Sequence, residues 1–193
     1  GGIHRTTYGE TAGRVRKMAN ALQNIGVKLG DRIATLAWNG YRHFELYYAI
    51  SGIGAVCHTI NPRLSAEQMV YIINHAEDSV ICVDLTFVPI LESLKDQIPA
   101  EMKFIIMTDQ DHMPDTSLKH VLCYEELLEP CDSNIEWPEF PEETASSLCY
   151  TSGTTGNPKG SLYTHRSTVL HSLTAGISFP ETMRAGVRIL PVV

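Results

Sequence analysis

Apolar positions along this chain switch repeatedly between a helical and a strand-like spacing. From Thr7 to Ile25, the residues Val15, Met18, Ala19, Leu22 and Ile25 share one helical stripe. Gly26 follows where a helix can end in a left-handed residue. Arg32 to Ala37 then reads as a strand, Tyr41 to Gly52 as a second helix and Ala55 to Ile60 as a second strand. Ser65 with Gln68 makes a capping box for a helix running to about His75. Ser79 to Val83 is a third strand. Val88 to Gln97 is a helix that holds Pro89 in its first turn, and Lys103 to Thr108 is a fourth strand. Residues 109–144 are polar, acidic and proline-containing, with one short helical piece at Tyr124 to Leu128, and read as a surface connection. Leu148 to Tyr150 enters a strand, a polar loop follows, and Leu162 to Thr164 leaves as another strand. Arg166 to Gly176 is a helix, and Arg188 to Val193 begins one more strand.

Strands alternating with helices in this way predict an α/β fold, a mainly parallel sheet flanked by helices with right-handed crossovers. The expected organisation is an α/β subdomain over 1–130 and an acidic connection over 131–144. Residues 145–193 are then the start of a second α/β subdomain, whose own sheet carries the polar loop. The chain opens without Met and ends inside an apolar strand, so the expectation is the N-terminal portion of a longer protein.

Composition narrows the function classes. The 193 residues are 44% hydrophobic, which suits an ordinary globular core. A net charge of −7 argues against a nucleic-acid partner. The longest apolar run, Tyr47 to Cys57, is broken by glycines and falls short of the ~20 residues of a membrane span, so no integral membrane segment is expected. No signal peptide is legible at the start. The five cysteines, Cys57, Cys82, Cys123, Cys131 and Cys149, are odd in number and lack C-x-x-C spacing. They point to reduced thiols and a cytoplasmic setting. His165 and His171 are six apart and no H-E-x-x-H occurs, so no structural metal site is expected. The oligomeric state, a homo-oligomer included, stays open.

The candidate chemistry lies in Tyr150-Thr151-Ser152-Gly153-Thr154-Thr155-Gly156-Asn157-Pro158-Lys159-Gly160. Glycines let the backbone approach an anion, successive N–H groups can point into one concavity, and hydroxyls can reach phosphate oxygens or Mg²⁺. Lys159 adds a mobile point charge. A Walker A loop would have Ser or Thr after its lysine and would open a helix. Here Gly160 follows Lys159, Pro158 biases Asn157 towards an extended conformation, and Tyr163 and Thr164 favour a strand. The phosphates would therefore be held between two strands, without a helix dipole. A plain Ser/Thr/Gly linker does not carry such an ordered core between two strand-like runs.

The run Leu148 to Gly160 closely resembles the phosphate-binding motif of the adenylate-forming enzymes, which include acyl-CoA synthetases, luciferases and peptide-synthetase adenylation domains. Tyr163-Thr164-His165-Arg166-Ser167-Thr168-Val169-Leu170-His171 and Ile60-Asn61-Pro62-Arg63-Leu64 resemble the fatty acyl-CoA ligase branch. Ser161 departs from the usual apolar residue. The resemblance implies an ATP-dependent ligase of fatty acid and lipid metabolism. Its substrates would be a fatty acid, ATP and coenzyme A, with Mg²⁺. Phosphate contacts carry over to Thr151, Ser152, Gly153, Thr154, Thr155, Gly156 and Lys159, and Thr151 also to Mg²⁺. Catalytic residues are expected beyond Val193. The alternatives are another adenylate-forming branch, activating an aryl or amino acid, or a non-catalytic nucleotide-binding module. By the residues alone, Arg63 reads as a surface charge and His165 and Arg166 as a helix start. Trp38 and Tyr41 read as core or turn aromatics, and Phe44, Tyr47 and Tyr48 as core.

Overall fold

The computed structural model describes residues 4–151, 157–181 and 184–187. Within them the chain alternates as expected. Helix α1 is Tyr8–Asn24, strand β1 Arg32–Leu36, α2 Tyr41–Gly52, β2 Val56–Thr59, α3 Ala66–Ala76 and β3 Asp78–Val83. Helix α4 is Val88–Leu94, β4 Lys103–Ile106, β5 Val121–Cys123, α5 Tyr124–Leu128, β6 Ala145–Thr151, β7 Lys159–Thr164 and α6 His165–Ser178. The strands form one sheet in the order β5-β4-β3-β1-β2-β6-β7. Strands β1 to β6 pair in parallel, and β7 alone runs antiparallel, against β6.

A parallel sheet covered on both faces needs strands that are apolar on both sides. That is what the central strands supply. Ile33, Val80, Cys82 and Ile105 face a core shared with α1, α2 and α5. Ala34, Leu36, Ile81, Val83, Phe104 and Ile106 face the other core, with α3 and α4. Two of the covering helices start in capping boxes. Thr7 and Glu10 exchange bonds of 3.2 and 2.7 Å at α1, and Ser65 and Gln68 bonds of 3.2 and 3.1 Å at α3.

One polar network crosses the first helical layer. The Glu45 carboxylate is buried and accepts from Arg14 Nε at 2.7 Å and from the Tyr124 hydroxyl at 2.7 Å. Arg14 also grips Glu125 with two bonds of 2.9 and 3.0 Å, and Arg42 Nε reaches Glu125 at 2.7 Å. The network ties α1, α2 and α5 together. Burial pushes the Glu125 carboxyl upward, but hydrogen bonds and charge from Arg14 and Arg42 outweigh it and hold the group below the ordinary glutamate range.

Two expectations are corrected. Residues 145–164 do not begin a second sheet: β6 pairs with β2 through Cys57↔Ser147, His58↔Leu148 and Thr59↔Cys149, so the hairpin extends the first sheet. Without β6, strand β2 would be an edge carrying the buried residues Val56, Cys57 and His58. The stretch 109–144 is also not wholly a connection, since β5 lies within it and pairs with β4 through Phe104↔Val121, Ile105↔Leu122 and Ile106↔Cys123. Three residues are too few to show a period of two. The rest of that stretch is pinned by aromatic rings. Phe140 lies against Gly54, whose φ of +78° is left-handed, and Trp137 lies against Gly52 so closely that a Cβ there would be 2.6 Å from the ring.

The expected strand Arg188 to Val193 lies outside the described residues. Among the described residues no helix is long and apolar enough to cross a membrane. All five cysteines are free, Cys149 half-buried and the other four buried.

Glu125 yields a test with a defined sign. A carboxyl whose folded pKa is depressed contributes stability above its unfolded pKa and loses it as pH falls through the folded value. Glu125→Gln should therefore lower the unfolding free energy at pH 7 by about 1–2 kcal/mol, the group being partly solvated. The gap to wild type should close as pH falls below the ordinary glutamate value of 4.5. Denaturant unfolding at a series of pH values measures both; a gap that persists undiminished at acid pH contradicts the network's electrostatic role.

Candidate functional site

The polar loop is carried by the β6–β7 hairpin. The hairpin is in register through Leu148↔Leu162, Cys149↔Ser161, Tyr150↔Gly160 and Thr151↔Lys159. Thr151 is thus the last residue of one strand and Lys159 the first of the next, side by side at the mouth of the loop. Both are exposed, and the Thr151 hydroxyl donates to the Lys159 carbonyl at 3.4 Å. The five expected phosphate-contact residues between them, Ser152, Gly153, Thr154, Thr155 and Gly156, lie outside the described residues. The donor set at the mouth, one hydroxyl and one ammonium, fits a phosphate with its counter-cation.

The segment after the loop is a strand. Helix α6 starts at His165, one residue before the expected Arg166, behind a capping box in which Thr164 and Ser167 exchange bonds of 3.1 and 3.0 Å. The order strand–loop–strand–helix separates this hairpin from a Walker-type loop, in which the helix N-terminus itself faces the phosphates. His165 and Arg166 serve the helix start. Their backbone N–H groups donate to Thr144 and Glu142 carbonyls at 3.0 and 2.8 Å, and Arg166 pairs with the Glu142 carboxylate. Burial lowers the His165 pKa.

The other strand-end residues behave as turns. Asn61 Oδ1 accepts from the Arg63 backbone N–H at 3.0 Å, and Arg63 is exposed, as its surface-charge reading anticipated. The Trp38 N–H donates to Asp84 at 2.5 Å across the ends of β1 and β3. Burial raises the Asp84 pKa. The aromatic stripe on α2 is a correction. Phe44, Tyr47 and Tyr48 are not core; they are 44%, 41% and 55% exposed and line a cavity of about 320 Å³ with Ser146, His165 and Val169. The core-facing residues of α2 are Leu46, Ala49 and Ile50, with the charged Glu45 beside them.

Sequence reasoning passed over two groups beneath the hairpin. His58 and Asp78 have fully buried side chains, and His58 Nδ1 lies 3.0 and 2.8 Å from the two Asp78 oxygens. Burial raises the Asp78 pKa, against the pull of the bond to His58. Nearby, the Tyr150 hydroxyl sits 2.6 Å from His75 Nδ1. The available signal was a histidine and an aspartate inside runs that a parallel sheet buries on both faces, where a polar side chain requires a partner.

Comparisons with known proteins agree with this architecture. The description "AMP-binding enzyme" matches residues 1–190. A medium-chain-fatty-acid–CoA ligase of Ectopseudomonas oleovorans is 49% identical over 195 residues, covering 100% of this chain and 35% of its own length. A 3-methylmercaptopropionyl-CoA ligase of Ruegeria lacuscaerulensis is 54% identical over 172 residues, or 89% of this chain and 32% of its own. The chain thus spans about a third of these relatives. Among solved structures, the anthranilate CoA ligase AuaEII in complex with anthranoyl-AMP superposes with a TM-score of 0.82 at 24% identity. It covers 90% of this chain and 32% of its own. ATP-bound MatB from Rhodopseudomonas palustris has a TM-score of 0.75 at 21% identity, over 93% and 33%. At these identities the two structures speak for the fold.

The hairpin's two faces differ in tolerance. A Cβ on Gly160 would lie 3.1 Å from Leu148 and 3.4 Å from the Tyr150 ring. Gly160→Val should therefore cost about 1–2 kcal/mol of unfolding free energy. Ser161→Val, half-buried on the opposite face, should be neutral or gain a few tenths, roughly the strand preference of valine. Equal losses in denaturant melts of the two variants would contradict the close packing of Gly160 against Leu148.

Proposed function

Since the chain belongs to the AMP-binding enzyme family, we propose that it is the phosphate-holding portion of an ATP-dependent ligase joining a fatty acid to coenzyme A. The observation that carries the reading is the β6–β7 hairpin, which sets Thr151 and Lys159 side by side at the mouth of the Ser152 to Gly156 segment. In this reading residues 1–130 are one α/β unit, 131–144 the connection, and 145–193 the beginning of the part that takes the nucleotide. Cysteines that are all free support a reducing, cytoplasmic setting.

The reaction has two steps. The acid's carboxylate attacks the α-phosphorus of ATP, pyrophosphate leaves, and the thiol of coenzyme A then displaces AMP to form the thioester. The difficulty of the first step is that one anion must approach another while charge grows on the leaving pyrophosphate. Lys159 places an ammonium beside that charge, and the Ser152 to Gly156 segment, to which the family's phosphate contacts carry over, would add further donors. The Thr151 hydroxyl oxygen, whose proton is given to the Lys159 carbonyl, would be this chain's ligand towards Mg²⁺, and the ion would neutralise phosphate charge there. The acid pocket and the groups serving the thiol step are assigned to sequence beyond Val193.

A second reading concerns the acid. The 54% identity to a 3-methylmercaptopropionyl-CoA ligase supports a short, sulfur-containing acid instead of a longer alkyl chain. A panel of acids assayed on the full-length protein separates the two by kcat/KM.

Two outcomes test the proposal. The isolated 193-residue chain should make no detectable acyl-CoA from fatty acid, ATP and coenzyme A, and synthesis by it would overturn the division of labour. In the full-length protein, Lys159→Ala should slow ATP–pyrophosphate exchange by about 10- to 100-fold. Thioester formation from preformed acyl-adenylate should change by less than about threefold. Equal losses in both half-reactions would remove Lys159 from the leaving-group role.

A further inference from the structure

The backbone leaves the end of β6 weakly held. Pairing with β2 stops at Thr59↔Cys149, so Tyr150 and Thr151 find ladder partners only on β7, at Gly160 and Lys159. Strand β7 is itself the last strand of the sheet among the described residues. A two-stranded hairpin projecting beyond its sheet is marginal by itself. The last residues before the phosphate loop therefore need a second tether.

The Tyr150 side chain supplies one. It folds back across the sheet towards α3, where its hydroxyl lies 2.6 Å from His75 Nδ1 and the two rings meet edge-on, 5.8 Å apart. On the way it passes His58, with ring centroids 5.1 Å apart. The His58 ring cannot rotate freely, because its Nδ1 bonds both oxygens of the buried Asp78 and neither side chain has solvent access. His58 Nε2 has no hydrogen-bond partner among the described residues, so the imidazole is oriented by Asp78 alone. Gly160 lies against the other side of the seat, where a Cβ would be 3.4 Å from the tyrosine ring and 3.1 Å from Leu148. The tether thus runs from the start of β3 through β2 and β6 to the last turn of α3.

We propose that Tyr150 is a positioning residue for the phosphate loop. It rests on the Asp78-oriented His58 ring and is tied by its hydroxyl to His75, and this fixes Thr151 and the loop mouth for the nucleotide. The proposal rests on the ligase reading given above. It predicts a specific signature, because a tether of the loop mouth affects nucleotide engagement and leaves the acid site and the thiol step alone.

The test uses the full-length protein that carries this chain. Tyr150→Phe keeps the ring and removes only the hydroxyl. Its Kd for MgATP by calorimetry and its KM for ATP in pyrophosphate exchange should both rise about three- to tenfold, the worth of one hydrogen bond near the surface. The KM for the acid, and thioester formation from preformed acyl-adenylate, should stay within about twofold. His75→Ala should reproduce the loss, and the double variant should be no worse than either single one. His75→Asn, whose amide can occupy the place of Nδ1, should recover most of the ATP affinity. Unchanged MgATP affinity in Tyr150→Phe, additive losses in the double variant, or a uniform fall of both half-reactions with a lowered melting temperature would each overturn the proposal. A wild-type protein that binds MgATP but exchanges no pyrophosphate with any acid would defeat the ligase reading, while the calorimetric comparison would still decide the role of Tyr150.

Discussion

Three residue pairs, Cys57↔Ser147, His58↔Leu148 and Thr59↔Cys149, attach the loop-bearing hairpin to the rest of the sheet. Every structural property of the loop mouth follows from that attachment. It continues the parallel order outward from β2, and β7 then turns back antiparallel, which a short loop permits and a parallel crossover would not. Thr151 and Lys159 come to face each other because the register of the hairpin, set by Leu148↔Leu162 further down, leaves them no other place.

The sheet itself depends on its two apolar layers, but the elements around it are oriented by polar groups placed inside those layers. Glu45 is an acid on a core-facing stripe, and it is accommodated because Arg14 and Tyr124 both reach it. His58 and Asp78 repeat the pattern on the opposite face. Buried ionic pairs add little net stability over apolar residues of the same size, yet removing one partner is costly. Their effect is on geometry: one arrangement of α1, α2 and α5 satisfies Arg14, Arg42, Glu45 and Glu125 together, and one orientation of His58 satisfies Asp78.

The acidic stretch between β5 and β6 has a positional role. Trp137 and Phe140 set its course by resting on Gly52 and Gly54, at the end of α2 and in the turn into β2. The Thr144 and Glu142 carbonyls then receive the first two N–H groups of α6. The connection therefore links the start of β2 to the helix that follows the loop hairpin. A polar composition concealed this, because the contacts are made by two isolated aromatics and by backbone carbonyls.

By itself, the sequence determined the alternation of helices and strands, the capping box at Ser65, and the strand–loop–strand order around Thr151 and Lys159. Those features are local: period, caps, and the residue-level effects of Pro158, Gly160 and Thr164 act within a few positions of where they are read. Membership of the AMP-binding family was legible for the same reason, since the loop motif is contiguous. What only the tertiary structure decided was non-local. The partner of β6 could not be read, because strand order carries no signature in either strand. Strand β5 escaped because three residues show no period and their pairing with β4 is what makes them a strand. The Phe44, Tyr47 and Tyr48 stripe was as apolar as a core face, and only the placement of α2 against α1 and the sheet showed that Leu46, Ala49 and Ile50 are the side that is buried. His58, Asp78, Tyr150 and His75 come from four separate elements, so their meeting beneath the hairpin exists only once the sheet has assembled.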